Sequence, residues 1–139
     1  MSVLLLISLL TSSKNVDAKK KVQIEEIKEP KKILTTAYCD TGVTASGAYT
    51  RYGICAGKRE WIGMTVILYE RDENNQLGEI LGIFEVLDTG FGADSDGNGI
   101  GSIEEGKVID VYFPTLEECE EWMRRTRGKA YMQLIDARG

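Results

Sequence analysis

The sequence predicts a mostly β fold, a small six-stranded barrel with one α-helix near the C-terminus. Three observations support this prediction: β-branched and aromatic residues occur in short runs, glycine and polar turns separate these runs, and one stretch near the C-terminus has helical periodicity. The chain has 139 residues, 42% of them hydrophobic and 28% charged, which suits one packed domain rather than a disordered chain.

Six runs are predicted to be strands. The longest, residues 79–88, contains Gly82, which indicates a β-bulge or a close backbone approach. A polar turn over residues 71–78 separates this run from the strand before it. The predicted strands comprise residues 33–38, 53–56, 64–70, 79–88, 107–113 and 129–137.

The predicted helix begins after Thr115. Thr115 and Glu118 have the spacing of a capping box, in which each side chain bonds the backbone N–H of the other residue. Glutamates lie early in the helix and arginines late, as the helix dipole favours, and Gly128 is placed to end it. The residues expected to face the core are Leu116, Cys119, Trp122, Met123 and Thr126.

The N-terminal residues 1–18 are predicted to be a signal peptide. The apolar run 3–10 is too short to span a bilayer, which takes ~20 residues, and residues 16–18 have the small-x-Ala form of a cleavage site. No Lys or Arg precedes the run, so either the start lies further upstream or the run is a buried strand or helix. We expect a secreted or cell-envelope protein with no membrane span in the mature chain. The charged residues 19–32 are predicted to be a solvated linker or a loose first strand, followed by the domain at 33–139.

The composition excludes several kinds of chemistry. The chain has no histidine, which removes Ser-His-Asp and Cys-His mechanisms and zinc sites that need imidazole. Acid–base catalysis then depends on a carboxylate with a raised pKa, or on Lys, Tyr or Cys. A net charge of −5 argues against a nucleic-acid partner. In an oxidising compartment two of the three cysteines can pair; the alternative is three buried thiols. The cysteines are Cys39, Cys55 and Cys119.

Residues 36–56 form a candidate substrate-binding segment. Tyr38 ends a predicted strand, and the loop after it is rich in small hydroxyl residues and glycine. Thr44, Ser46 and Gly47 leave room for a bulky ligand to approach the backbone. The alternative is an ordinary surface loop of the same composition.

Five motifs in a fixed order resemble the 3D domain family, which is named for three aspartates. The resemblance covers roughly residues 33–137 and implies a double-psi β-barrel related to MltA-type and rare-lipoprotein-A-like lytic transglycosylases, which act on bacterial peptidoglycan. It places two of the family's aspartates at Asp88 and Asp110. The region of the first aspartate, residues 56–66, has none, and Glu60 is the only carboxylate there, so the set is incomplete. The motifs are TAYC, TASG, GICA, VLDTG and VIDVYF.

The resemblance implies that Asp110 is the catalytic acid and Asp88 its partner. A lytic transglycosylase protonates the glycosidic oxygen, and the sugar's own 6-hydroxyl attacks the anomeric carbon. Ile109 and Val111 flank Asp110 in a predicted strand, where desolvation raises the pKa of a carboxyl group, and a second carboxylate nearby raises it further. The alternative for each aspartate is a turn- or loop-capping role, which suits Asp88 before Thr-Gly.

The loop between the two aspartates has the ligand spacing of an EF-hand calcium loop. Gly99 fits position 6 of that pattern, whereas Gly101 stands at position 8, which is normally aliphatic. The flanking segments are a turn and a strand rather than two helices. No cofactor is required for the predicted reaction, and bound calcium would fix the distance between the two site strands. The alternative is a solvated turn rich in Asp, Asn and Gly. The candidate ligands are Asp94, Asp96, Asn98, the carbonyl of Ile100, and Glu105.

The sequence therefore predicts a secreted barrel that cleaves the glycan strands of peptidoglycan, as a lytic transglycosylase. The first alternative is a non-catalytic barrel that binds the cell wall through the same groove, a reading that the missing third aspartate favours. The second is a calcium-stabilised secreted module for another polymer or a protein.

Overall fold

The computed structural model describes residues 25–138, and these contain six strands and one α-helix, which confirms the predicted mostly β fold. The predicted signal peptide and the start of the charged segment lie outside the described residues. A short 3₁₀ helix, Arg59–Trp61, lies between the second and third strands. The elements are β1 (Ile27–Tyr38), β2 (Ile54–Ala56), β3 (Thr65–Arg71), β4 (Leu77–Asp88), β5 (Val108–Tyr112), α1 (Leu116–Thr126) and β6 (Lys129–Ile135).

The six strands of residues 25–138 pair in the order β1-β5-β2-β4-β3-β6, and β6 pairs again with β1, so the sheet closes into a ring. The pairs β1–β5 and β2–β4 are parallel. The other neighbours are antiparallel. Each strand has two neighbours in the ring, but the pairing of the two longest strands is partial. Strand β5 pairs only with residues 34–38 of β1, and β2 pairs only with residues 85–88 of β4.

Alternate residues of the strands fill the inside of the ring. On β6, Ala130, Met132 and Leu134 are fully buried, and Val66 and Leu68 are fully buried on β3. This spacing follows from the two-residue repeat of a β-strand, which turns every second side chain towards the same face. The packed interior fixes the register of the strands that carry the candidate site.

The structure confirms the predicted bulge in β4. Leu68 pairs with Gly82, but the next residue, Tyr69, pairs with Ile80, so Leu81 is the extra residue. A Cβ atom on Gly82 would lie only 2.6 Å from the Phe84 ring. Glycine is therefore needed beside the bulge because the Phe84 side chain covers its backbone.

The helix α1 begins and ends in the predicted regions, but one half of the capping box differs, because the Glu118 carboxylate accepts the Thr115 hydroxyl at 2.8 Å. The Thr115 hydroxyl accepts the backbone N–H of Glu118 at 3.2 Å. At the other end Arg127 takes a left-handed conformation, φ +54°, and donates its N–H to the Met123 carbonyl, with Gly128 following. The buried stripe is narrower than predicted, because Leu116 is 63% exposed and Met123 is 37% exposed. The face against the ring instead follows Cys119, Trp122 and Thr126.

Strand β1 begins at Ile27, six residues before the predicted domain boundary at residue 33. Of the two interpretations of the charged segment, the loose first strand therefore describes residues 27–32. Ile27 pairs with Leu134 of β6, and the register shifts before Lys31. Pro30 lies in that interval and has no N–H to donate. Within residues 25–138, no helix is long and apolar enough to cross a membrane.

Candidate functional site

A cleft of about 310 Å³ lies at the point where β1, β2 and β4 end, and both predicted aspartates line it. Ala56, the last residue of β2, is the register partner of Asp88 on β4 and of Asp110 on β5. Partners on adjacent strands present their side chains on the same face of a sheet, so the two carboxylates flank Ala56. The lining residues are Tyr38, Asp40, Thr41, Gly42, Val43, Thr50, Ala56, Asp88, Thr89, Gly90, Ile103 and Asp110.

The Asp88 carboxylate is held by three donors. Its Oδ1 accepts the backbone N–H of Ala45 at 3.0 Å and that of Thr89 at 2.9 Å. Its Oδ2 accepts the Tyr38 hydroxyl at 3.1 Å. Asp88 thus has the predicted capping role and also lines the cleft, because the loop that it caps is one wall of the site.

Asp110 is less constrained. Its Oδ1 accepts the hydroxyl of Thr36, its direct partner on β1, at 2.8 Å. Oδ2 accepts no hydrogen bond from residues 25–138, so it can meet a ligand in the cleft. Burial raises the pKa of the Asp110 carboxyl, the hydrogen bond from Thr36 opposes this rise, and the charges of Asp88 and then Asp40 add to it. Burial and negative neighbours disfavour the charged carboxylate, whereas a donated hydrogen bond stabilises it.

Tyr38 lies in the cleft, as the sequence predicts. Burial, and then the carboxylate of Asp88, raises the pKa of the Tyr38 hydroxyl, so Tyr38 stays protonated and donates to Asp88. Its ring meets that of Tyr112 edge to face, with centroids 5.5 Å apart. The ring contact and the hydrogen bond together fix the side chain at the cleft wall.

The other three predicted substrate-binding residues belong to a turn beside the cleft and do not line it. Thr44 is buried, and its hydroxyl bonds Ser46 Oγ at 2.9 Å and the Ala48 carbonyl at 2.8 Å. Ser46 donates its N–H to the Leu87 carbonyl, and Gly47 has φ +92°, which favours glycine. These contacts shape the turn that presents the Ala45 N–H to Asp88.

Among the cleft residues that were not predicted from the sequence, Asp40 and Thr89 carry the polar groups closest in the chain to the predicted site residues. Asp40 is exposed at the cleft, where it adds a third carboxylate beside Asp88 and Asp110. The 3D domain resemblance implies an aspartate in residues 56–66, so Asp40 comes from a different part of the chain. Thr89 also lines the cleft, and its buried hydroxyl has no hydrogen-bond partner within residues 25–138. In the sequence, Asp40 stands two positions after Tyr38, and Thr89 directly follows Asp88. These positions were the signal from which both residues could have been predicted.

Glu60, the only carboxylate in the region of the missing family aspartate, lies outside this cleft. It lines a second, larger cavity of about 710 Å³, together with Arg59 and Phe91. Thr89 and Gly90 border both cavities, so the two are neighbours.

The predicted calcium loop is organised by its own hydrogen bonds. Asp94 accepts the N–H groups of Asn98 and Gly99 at 3.1 and 2.9 Å. The ammonium of Lys107 lies 2.5 Å from Asp96 Oδ2 and 2.9 Å from Glu105 Oε2. The hydrogen bonds to Asp96 and then Glu105 raise the pKa of Lys107. A positive charge therefore already bridges two of the candidate ligands.

The residue types of the loop fit calcium, which prefers oxygen ligands, but their arrangement differs from a cage. Asn98 Nδ2 donates to Glu105 at 3.2 Å, and Ile100 donates its N–H to Asn98. Within residues 25–138, no group of three or more His, Cys, Asp or Glu side chains is arranged to hold a metal. A Cβ on Gly101 would lie 1.7 Å from the Phe91 carbonyl oxygen, which explains the missing aliphatic residue at that position.

Comparison of the chain with protein-family models, with curated proteins and with solved structures finds no match. The geometry of the cleft and the motifs in the sequence are therefore the features that point to a function.

Proposed function

We propose that this protein is a secreted or cell-envelope lytic transglycosylase that cleaves the glycan strands of peptidoglycan, with Asp110 as the general acid. The observation that supports the proposal most directly is the position of Asp110: it lines a cleft, burial raises its pKa, and one of its oxygens is unengaged within residues 25–138. A carboxyl group that keeps its proton at a higher pH is what protonation of a glycosidic oxygen requires.

The strand arrangement is compatible with a double-psi barrel, which is the finer fold that we propose. A double-psi barrel needs a six-stranded closed sheet that contains parallel strand pairs. Here β1–β5 and β2–β4 are parallel and lie beside one another in the ring. The two aspartates lie on β4 and β5, one from each parallel pair.

In the proposed reaction Asp110 transfers its proton to the glycosidic oxygen, and the bond from that oxygen to the anomeric carbon breaks. The 6-hydroxyl of the same sugar attacks the anomeric carbon and returns its proton to Asp110, which closes an anhydro ring. No protein nucleophile or water is consumed. Asp88 and Asp40 place negative charge near the cleft and so favour the positive charge that develops on the ring.

The test is a digest of purified bacterial peptidoglycan with the protein, analysed for sugars with anhydro ends. Release of such ends supports the proposal, and release of reducing ends would instead show hydrolysis. Pelleting of the protein with insoluble peptidoglycan without cleavage would support the non-catalytic binding barrel. The extensive capping of Asp88 is the observation that favours that second candidate, because a capped carboxylate has a structural role without catalysis.

The pH dependence of cleavage should move in opposite directions in two variants. The acid must be protonated, so activity falls as the pH rises through the pKa of Asp110. Thr36→Val removes a hydrogen bond that lowers this pKa, so the alkaline limb of the profile should move to higher pH. Asp88→Asn removes a charge that raises this pKa, so the limb should move to lower pH. The measurement is the pH dependence of the initial rate of cleavage in the two variants and the wild type. Two shifts of the same sign would contradict the assignment of Asp110.

We also propose that calcium displaces the Lys107 ammonium from the acidic loop. Thermal unfolding of the wild type should then shift upward with calcium, by about 2.7 kcal/mol of stability at 100 times the Kd. Glu105→Gln should remove the shift, because it weakens a ligand. Glu104→Gln is the matched control, since Glu104 is an exposed neighbour outside the ligand set. A melting temperature that does not change at millimolar calcium would leave Lys107 as the cation of this loop.

A further inference from the structure

Two of the three cysteines meet at the edge of the cleft. Cys39 directly follows β1, and Cys119 lies in the first turn of α1, 80 positions further along the chain. Trp122, three residues further along α1, donates its indole N–H to Thr35 of β1 at 3.0 Å, so this helix lies along the last residues of β1 and brings Cys119 next to Cys39. Burial, and then the neighbouring Cys39 side chain, raises the pKa of the Cys119 thiol. The Phe113 N–H donates to the Tyr38 carbonyl at 2.9 Å, so the residue before Cys39 is fixed against the chain that leads into the helix.

The third cysteine has a different environment. Cys55 is fully buried inside the ring, where its register partners are Val86 and Val111. Burial raises the pKa of the Cys55 thiol, which makes it a poor nucleophile as well as an inaccessible one. Cys39 is only half-buried, so an oxidant can reach it.

We propose that Cys39 and Cys119 are a redox-modification site, at which a disulfide joins the end of β1 to the first turn of α1. The oxidant is a small-molecule disulfide. The Cys39 thiolate attacks one of its sulfurs, which forms a mixed disulfide and releases one thiolate. Cys119 then loses its proton and attacks the Cys39 sulfur, which releases the second thiolate. Two protein thiols are oxidised, and one disulfide is reduced to two thiols.

The bond has a consequence for the cleft. Cys39 lies between Tyr38 and Asp40, which both line the cleft. A covalent link from Cys39 to α1 restrains this wall and also closes a long loop in the unfolded chain. Such a loop closure stabilises the folded state mainly by reducing the conformational entropy of the unfolded chain.

The experiment treats the native protein with oxidised glutathione and then blocks free thiols with an alkylating reagent. Intact mass should show the loss of two hydrogens, and non-reducing peptide mapping should find the Cys39 peptide linked to the Cys119 peptide, with Cys55 alkylated only after unfolding. The oxidised protein should melt roughly 10 °C above the same sample treated with dithiothreitol. Cys55→Ala should keep the link, and Cys39→Ser should lose it.

Three results would overturn the proposal: a glutathione adduct that remains on Cys39, a link that involves Cys55, or three alkylatable thiols after oxidation. The mapping uses the wild-type chain, so it does not depend on whether a cysteine variant folds. It is also independent of peptidoglycan cleavage, so either proposal can fail without the other.

Discussion

Replacing Asp110 with asparagine should remove glycan cleavage while the fold remains intact. Asparagine has nearly the same shape as aspartate, and its side-chain oxygen can still accept the Thr36 hydroxyl that bonds Asp110 at 2.8 Å. It has no acidic proton to give to the glycosidic oxygen. General-acid catalysis typically contributes ~10²–10⁴-fold to a rate, so the release of anhydro ends should fall by roughly that factor.

The same variant should be at least as stable as the wild type at neutral pH. Burial raises the pKa of Asp110 in the folded protein, so the folded state holds this proton more tightly than the unfolded state. The stability that this group contributes is fully present below the ordinary carboxyl pKa and is lost as the pH rises through the raised pKa. Asparagine has no charge to bury, so the variant does not lose this stability as the pH rises. The measurement is thermal unfolding at acidic and at neutral pH.

Asp136→Asn is the matched control for Asp110→Asn. Asp136 lies near the C-terminus and bonds Arg138, away from the residues that line the cleft. It should cleave peptidoglycan at the wild-type rate. If both variants retained full activity, the acid would have to be another cleft residue, and the proposed mechanism would be wrong.

Local sequence signals were sufficient to predict the fold class. Each predicted strand overlaps an observed one, because β-branched and aromatic residues are concentrated in the strands, and glycine and polar turns separate them. The ends of α1 were predicted from Thr115 and the region of Gly128 for a similar local reason. The start of β1 was predicted only as one of two alternatives, since Lys28, Lys31 and Lys32 lie on an exposed stretch where pairing with β6 provides the stability, and no buried side chain marks it.

The candidate site was predicted less completely, because it depends on contacts between distant segments. The motifs located Asp88 and Asp110, but only the ring shows that both flank Ala56. Asp40 was not predicted because a carboxylate after a strand end looks like any loop residue until the strand order brings it to the cleft. Thr44 was predicted to face a ligand, and the structure turns its hydroxyl back onto its own loop.

The contact of α1 with the ring depends on Trp122. This side chain is 6% exposed and packs against Phe84 and Phe113, with ring centroids 5.7 and 5.6 Å away. Its indole N–H donates to Thr35 Oγ1 at 3.0 Å, and the Thr35 hydroxyl donates to the Ile109 carbonyl at 3.0 Å. One aromatic residue therefore links the helix to β1, and through β1 to β5.

Trp122→Ala should lower the free energy of unfolding by about 3–5 kcal/mol, the usual loss when a buried aromatic side chain is truncated. Trp122→Phe keeps much of the packing but lacks the indole hydrogen bond, which contributes about 1 kcal/mol. The decrease in its free energy of unfolding should therefore include that amount and remain well below the decrease in Trp122→Ala. Met123→Ala is the control, because Met123 is on the same helix but is 37% exposed. Denaturant unfolding of the three variants measures the series, and an equal loss in all of them would contradict it.

The Trp122 series should separate stability from the chemistry of the cleft. Along β1, Thr35 is buried under the helix, whereas the next residue, Thr36, is exposed and bonds Asp110. Successive residues of a strand point to opposite faces, so truncating Trp122 removes support from the Thr35 side and leaves the Thr36–Asp110 contact in place. At a temperature where Trp122→Phe is fully folded, its pH profile of cleavage should match that of the wild type. A shifted alkaline limb would show instead that the packing of α1 sets the burial of Asp110.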